Sequence, residues 1–480
     1  MGSLSALEPK QVFSIFEEIC SIPHGSGNMQ KISDYCVEFA KNQGLKYVQD
    51  NALNVIIYKP ATKGFESAEP IMLQGHLDMV CQKETGTKRD LENEGVEPIL
   101  SGNFITAKGT TLGADNGIAV AMIMSILADE NIEHPPIEAV FTTDEEIGML
   151  GASDLDFSLL SARKMINIDS EEGDTVTVSC AGGSEVKMDL SFERKAVYKS
   201  GLEITVSGLK GGHSGVEIDK HRQNADTLLG RILNTLKGKF NFNIVEVSGG
   251  DKANAIPTDS TATICIEDAE NAVNFLEEYS KEIKNELASR EENLEITFEI
   301  KEEKEYFCFD TDATKKLIFA LINNPCGIIE MSKEIEDLVE TSLNLGVLYT
   351  TENDVTLVYA LRSNKASALT FLEERLLNIA ELLGAKSEIS GRYLPWEYNS
   401  NSKIRDIYVE AYRQKYGELP KIAAIHAGLE CSVFASRIKG LDCIAVGPDM
   451  TGVHTPKEAL SVSSTKDIYE ILLNVLSKSK

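Results

Sequence analysis

The sequence predicts an α/β fold, a main domain with a mixed, largely parallel sheet sandwiched by helices and interrupted by an inserted α+β domain. Three observations carry this. Short β-branched or apolar runs alternate with helix-like stretches toward both ends of the chain, the pattern of parallel strands wrapped in helices. From about residue 184 to 386 the pattern changes to amphipathic strands and charged helices, which suits helices packed on one face of an antiparallel sheet. A chain of 480 residues also exceeds what one hydrophobic core usually organises. The expected division is 1–184, first part of the main domain; 185–386, the insert; and 387–480, the second part.

Element by element, Lys10–Cys20 and Met29–Gln43 read as helices, with a loop around Pro23 and Gly27. Asn54–Tyr58, Ile71–His76, Ile137–Thr142 and Lys164–Ile168 read as strands, and the apolar run Gly117–Ala128 as a buried helix. In the insert, Glu203–Ser207, Asn243–Val247, Thr261–Ile266, Ser342–Tyr349 and Val355–Leu361 are expected strands. Asn224–Leu236, Asn271–Leu287 and Leu369–Leu383 are expected helices, and the charged stretch 271–305 suits a solvated helix plus an edge strand. The α/β signature returns with a helix at 403–416, an apolar run Cys443–Val446 and a terminal helix Lys466–Ser477. No internal repeat or low-complexity tract interrupts the chain.

Composition narrows the function. Hydrophobic residues make up 42% and charged residues 25%, as in ordinary globular proteins, but the net charge is −28. Such acidity repels phosphate backbones and anionic lipid, which argues against nucleic acid and membrane as partners. The start, Met-Gly-Ser-Leu-Ser-Ala, lacks a basic-then-apolar leader and the Ser/Thr of a myristoylation signal. Nine cysteines, an odd number scattered singly, suit reduced thiols. The expected location is the cytoplasm.

Five acidic or imidazole clusters carry the chemistry, three at expected strand ends, one at a helix start and one in a loop. In open α/β sheets that edge is where ligands bind. The first is Gly75-His76-Leu-Asp78. Residues i and i+2 of an extended chain face the same side, so His76 suits a metal ligand and Asp78 the carboxylate that orients its imidazole. A surface His–Asp pair has the same spacing. In Gly113-Ala-Asp115-Asn-Gly117, Asp115 could cap the following helix. The flanking glycines equally allow a backbone that turns the carboxylate inward to bridge two cations. Asp144-Glu145-Glu146 is either an exposed acidic turn or a pair with divided labour, one carboxylate binding a cation and its neighbour serving as general base. Asp169-Ser-Glu-Glu172 ends another apolar strand, and His454 lies in a Gly/Pro-rich loop. Two histidines with three or four carboxylates form a donor set for zinc, which cobalt or manganese would also accept.

The ordered set His-x-Asp, Asp, Glu-Glu, Asp, His resembles the family of co-catalytic zinc peptidases and amidohydrolases that includes aminoacylases and peptidase T. Within it the similarity is to the carnosinase-like branch acting on Xaa-His dipeptides. The likeness runs from end to end. Its marks are Cys20-Ser-Ile-Pro-His24, Gln74-Gly-His-Leu-Asp-Met-Val80, Arg89 to Gly109-Thr-Thr-Leu-Gly-Ala-Asp-Asn-Gly117 and Asp169-Ser-Glu-Glu172. Further marks are Cys180-Ala-Gly-Gly183, Lys210-Gly-Gly-His-Ser-Gly215, Asn254-Ala-Ile-Pro257 and His426-Ala-Gly-Leu-Glu-Cys431.

The resemblance implies that the main domain is catalytic and the insert a lid or dimerisation domain. It implies two zinc ions per subunit: His76 and Asp169 on one, Glu146 and His454 on the other, Asp115 bridging. Asp78 would orient His76 and Glu145 would be the general base. It implies a cis peptide at Asp115–Asn116. His213 would face the oxyanion, Arg362 would bind the substrate carboxylate, and Asn254 and Gly428 would line the cleft. The substrate would be a short peptide, with a homodimer formed through the insert and His213 acting in its own chain or across to the second. His426 is ambiguous, and His24, His134 and His221 read as structural or solvated. A related N-acyl-amino-acid deacylase or aminotripeptidase, and a non-catalytic binding protein on this fold, are the competing readings.

Overall fold

The computed structural model describes Leu4 and residues 6–480; the reading of the N-terminal start rests partly on residues outside that range. The chain divides into two compact units. The first comprises Met1–Cys180, Tyr398–Ala424 and Leu429–Lys480, and the second Ala181–Glu397 with Ile425–Gly428.

An eight-stranded sheet forms the first unit. Its strands are β1 (Lys46–Gln49), β2 (Val55–Lys59), β3 (Ile71–His76), β4 (Ile137–Thr142), β5 (Lys164–Asn167), β6 (Thr175–Cys180), β7 (Lys421–Ile425) and β8 (Asp442–Ala445), in the spatial order β1-β2-β4-β3-β5-β8-β6-β7. The centre, β4-β3-β5-β8, is parallel, while β1, β2 and β6 pair antiparallel. Strands β3 and β4 are buried at every position, which explains the apolar stretches Ile71–Leu73 and Ala139–Phe141 within them. Helix α1 (Lys10–Cys20) buries Phe13, Phe16, Cys20 and their neighbours on one face, and α2 (Gln30–Asn42) buries Ile32, Cys36 and Ala40. Helix α3 (Ala114–Ala128) is buried on all sides from Asn116 to Leu127, as its continuous apolar run requires. It begins three residues before the expected Gly117, because Ala114, Asp115 and Asn116 form its irregular first turn.

In register, His76 lies beside Thr142 and Gln74 beside Asn167, so β3, β4 and β5 finish together. The loops that leave this edge carry Asp78, Glu145, Glu146 and Asp169.

The second unit is an antiparallel sheet with four helices. From one edge the strands run Glu295–Phe309, Arg194–Ser207, Ser260–Ile266, Phe242–Asp251, Val339–Thr350, Asp354–Ser363, Gly182–Ser191 and Lys386–Tyr393, with Gly327–Met331 added on Val339–Thr350. Helices Ala225–Lys237, Ala269–Leu287, Thr311–Asn323 and Ala366–Leu383 share one hydrophobic cluster with the inward side chains of the sheet. The charged stretch 271–305 thus contains an exposed helix face and the edge strand expected of it. Arg194–Ser207 is nearly three times the length expected from Glu203–Ser207, because its polar first half pairs with the outer strand. Gly182–Ser191 and Thr311–Asn323 are further elements absent from the sequence reading.

Candidate metal centre

Five side chains that are remote in sequence converge at the carboxyl edge of the first unit, and Asp115 is their hub. Its Oδ1 lies 3.1 Å from His76 Nε2, which is also 3.4 Å from Asp169 Oδ1. Its Oδ2 lies 3.1 Å from His454 Nε2, which in turn is 2.9 Å from Glu146 Oε1. Each oxygen of one carboxylate therefore faces its own pair of one imidazole and one further carboxylate. Ligand atoms of His76, Asp115 and Glu146 fall within 4.8 Å of one another. His76 is buried, whereas the side chain of His454 is 49% exposed, so one half of the centre is deep and the other opens to solvent.

The surrounding shell holds these groups by specific bonds. His76 Nδ1 lies 3.0 Å from the Asp78 carbonyl and 3.4 Å from its carboxylate. The same carboxylate accepts the backbone N–H groups of Glu145 at 2.9 Å and Glu146 at 3.2 Å, and the Ser26 hydroxyl at 2.9 Å. Asn116 accepts the His76 N–H at 3.1 Å and donates to the Ile168 carbonyl at 2.7 Å, which ties the ends of β3 and β5 together. A Cβ at Gly75 would stand 2.5 Å from Asn116 Oδ1, so glycine is what lets that amide approach. The Asp115–Asn116 peptide is cis. Beneath the edge, buried Glu430 accepts from Gln74 and Thr142. Nothing in its sequence neighbourhood marked it, beyond the motif His426–Cys431 that contains it.

The electrostatics of the cluster favour added positive charge. Burial pushes Asp169 up to about 6, with Asp115 and Glu146 adding repulsion against the opposing pull of His76. Burial likewise pushes Glu171 up to about 7, and raises Glu145 well above the carboxylate range. Asp115 moves the other way, because hydrogen bonds to His454 and His76 outweigh its burial. Hydrogen bonds to Asp115 and Glu146 carry His454 up to about 10. Crowded carboxylates thus draw protons onto both imidazoles. Two cations would displace those protons and compensate the same charge, and the nitrogen and oxygen donors match zinc and its first-row neighbours. The residues fit a metal pair.

Of the remaining candidates, His213, Asn254, Arg362 and Gly428 belong to the second unit. His213 pairs with Ala255 in a two-residue ladder. Its Nδ1 accepts the N–H groups of Gly215 at 3.1 Å and Val216 at 3.2 Å, which leaves the proton on Nε2. Burial and the Arg362 charge lower its pKa, so the ring is neutral. The exposed Asn254 contributes its carbonyl to the N–H of Ser214 at 2.8 Å. Arg362 donates to the Tyr393 hydroxyl at 3.2 Å and has no carboxylate partner among the described residues. His426 is buried, bonded to Ser342 at 2.7 Å, and pushed by burial and Arg362 down to about 3, so it is a neutral packing group. His24 and His134 are buried against the carbonyls of Ile22 and Pro135.

Residues 72–478 match the profile of peptidase family M20/M25/M40. The chain belongs to that family. This M20 chain is 37% identical, over 100% of its length and 99% of the other's, to the cytosol non-specific dipeptidase of Escherichia coli (strain K12). The crystal structure of aminoacylhistidine dipeptidase from Vibrio alginolyticus superposes with a TM-score of 0.92 at 36% identity, covering 99% of this chain and 98% of that one. Aminopeptidase PepT from Bacillus cereus shares the fold at a TM-score of 0.58 and 15% identity, over 98% and 99% of the two chains. The expected family and α/β class are both met, and this M20 chain is a hydrolase of peptide bonds.

Proposed function

We propose that the protein is a two-metal dipeptidase that cleaves short peptides with a free C-terminal carboxylate. The observation that carries this is the division of Asp115, each of whose oxygens faces a separate His–carboxylate pair. The dipeptidase names of the relatives at 37% and 36% identity support the substrate class. Xaa-His dipeptides are the favoured substrates within it, following the aminoacylhistidine relative.

His76 and Asp169 would hold one cation, Glu146 and His454 the other, with Asp115 between. Two zinc ions there, when bound, would supply Lewis acidity toward the scissile carbonyl and make water a nucleophile near neutral pH. Glu145 is the general base. Its backbone is fixed by Asp78, and burial leaves its carboxylate with a raised affinity for a proton. It takes a proton from the attacking water and delivers it to the leaving amine. His213, neutral and with its proton on Nε2, has the tautomer needed to donate to an oxyanion. Arg362, a cation without a carboxylate partner among the described residues, is suited to bind the substrate carboxylate through its planar fork. Asn254 supports the His213 turn through the Ser214 N–H, and Gly428 would be a further substrate-binding position.

The second unit serves as lid and dimerisation domain in this reading. No described helix is long and apolar enough to cross a membrane. The cytosol relative supports a cytoplasmic setting, and the net charge of −28 argues against nucleic acid and anionic lipid as partners. The test is metal analysis coupled to hydrolysis. Two zinc, cobalt or manganese ions per chain are expected, with dipeptide hydrolysis lost on chelation and restored by metal. A chain that binds no metal, or hydrolyses acetylated amino acids far better than dipeptides, would overturn the reading.

A further inference from the structure

We propose that Glu458 is the positioning residue that holds Asp115 in its bridging pose. The inference rests on the two-metal reading but concerns a residue outside the ligand set. Glu458 is buried, and its carboxylate accepts four consecutive backbone N–H groups: Leu112 at 2.7 Å, Gly113 at 3.1 Å, Ala114 at 2.8 Å and Asp115 at 3.3 Å.

The need for such a group follows from the sequence. The first amides of a helix have no intrahelical acceptor, and a side chain at the N-cap normally supplies one. Here the N-cap is Gly113, in the left-handed region at φ 74°, and it has no side chain to offer. Asp115 and Asn116 depart from helical dihedrals, so helical hydrogen bonding does not fix the direction of the Asp115 side chain. A carboxylate from the far end of the chain does so instead. Charge-assisted bonds to a buried carboxylate are stronger than neutral ones, and a negative group at this end also suits the helix dipole.

Glu458 stands four residues after His454. Two turns, Thr455 N–H to the Gly452 carbonyl and Glu458 N–H to the Thr455 carbonyl, connect them at 3.1 Å each. One side chain thereby links the loop that carries His454 to the turn that carries Asp115. Those two residues are the pair whose Nε2 and Oδ2 stand 3.1 Å apart. Glu458 sets their spacing without touching either side chain.

The test compares Glu458→Gln with Glu138→Gln. Glu138 is another buried carboxylate of the first unit that accepts backbone amides, from Ser161 and Ala162, at the opposite end of its strand. Glutamine keeps the size but replaces an acceptor with a donor that opposes the amides. Zinc affinity of the metal-stripped proteins, by competition with a chromophoric chelator, is expected to fall at least about tenfold for Glu458→Gln. The cobalt(II) absorption spectrum should change with it. Glu138→Gln should lower the melting temperature while leaving affinity and spectrum as in the parent. Glu458→Asp, which keeps the charge, should fall between and serves if the glutamine variant does not fold. Parental affinity and spectrum in both Glu458 variants, or equal affinity losses in the Glu138 control, would overturn the proposal. Failure of the parent itself to bind metal would instead overturn the two-metal reading.

Discussion

The imidazole of His76 meets Asp78 twice, its Nδ1 lying 3.0 Å from the Asp78 carbonyl and 3.4 Å from its carboxylate. That arrangement directs Nε2 toward Asp115 and Asp169. Because the carboxylate also accepts the Glu145 and Glu146 amides, one side chain fixes a ligand on β3 and two acids after β4. Asp78→Asn keeps the carbonyl contact but loses charge and one acceptor. Metal affinity and turnover should each fall by about 10- to 100-fold. Titration of the stripped variant with zinc checks the first, and dipeptide hydrolysis at saturating metal the second. Parental values for both would show that the carbonyl alone orients the ring.

Glu145→Gln separates chemistry from assembly. Glu145 belongs to neither His–carboxylate pair, so its amide variant should keep both metals while kcat falls by roughly 10²–10⁴-fold. Elemental analysis together with steady-state kinetics reads the two effects. A variant that lost metal with activity would reassign Glu145 to the ligand shell.

Much of this arrangement is legible in the chain, and most of the exceptions depend on partners distant in sequence. Ile71–His76 and Ile137–Thr142 stand out because strands buried on both faces are largely apolar, here through Ile71–Leu73 and Ala139–Phe141. His76, Asp115, Glu146 and Asp169 are visible because acids and imidazoles at the ends of such runs are conspicuous. Glu458 was not visible, since its partners lie 343–346 residues away and no local pattern connects them. The same holds for the first half of Arg194–Ser207, whose polar residues become strand only by pairing with Glu295–Phe309. Thr311–Asn323 did carry a local signal. Asp310 caps it, accepting the N–H groups of Asp312 and Ala313, and an Asp before a periodic apolar run is a readable helix start.

Arg362→Ala tests the carboxylate clamp. A charge-assisted contact contributes about 1.5–3 kcal/mol, so KM for a dipeptide should rise roughly 10- to 150-fold. C-terminally amidated substrates should be nearly unaffected, because they lack the charge that Arg362 recognises. Equal losses on acid and amide would mean that the guanidinium supports the second unit rather than the substrate. Arg362→Lys should recover only part of the loss, since an ammonium lacks the planar fork.

The second unit holds a further titrating group, Asp226, in the first turn of helix Ala225–Lys237. Its side chain is buried, and a Cβ at Gly249 would fall 1.6 Å from its Oδ1, so the carboxyl lies directly on the backbone of the neighbouring strand. Burial pushes its pKa from 3.8 up to about 7, against a smaller opposing effect of the Ser260 hydroxyl. The sign follows from proton binding. Between pH 4 and 7 the folded chain keeps a proton that the unfolded chain releases, so stability falls as pH rises across that window. The favourable contribution is complete below the unfolded pKa and gone above the folded one. At about 1.4 kcal/mol per unit, the loss is on the order of 4 kcal/mol. Asp226→Asn mimics the protonated acid and cannot ionise. Relative to the parent it should be near neutral at pH 4 and more stable at pH 8, with a flatter profile between, as read from urea unfolding midpoints of the second unit. A variant destabilised at pH 8 would show instead that the carboxylate is ionised and well solvated by bonds within the fold.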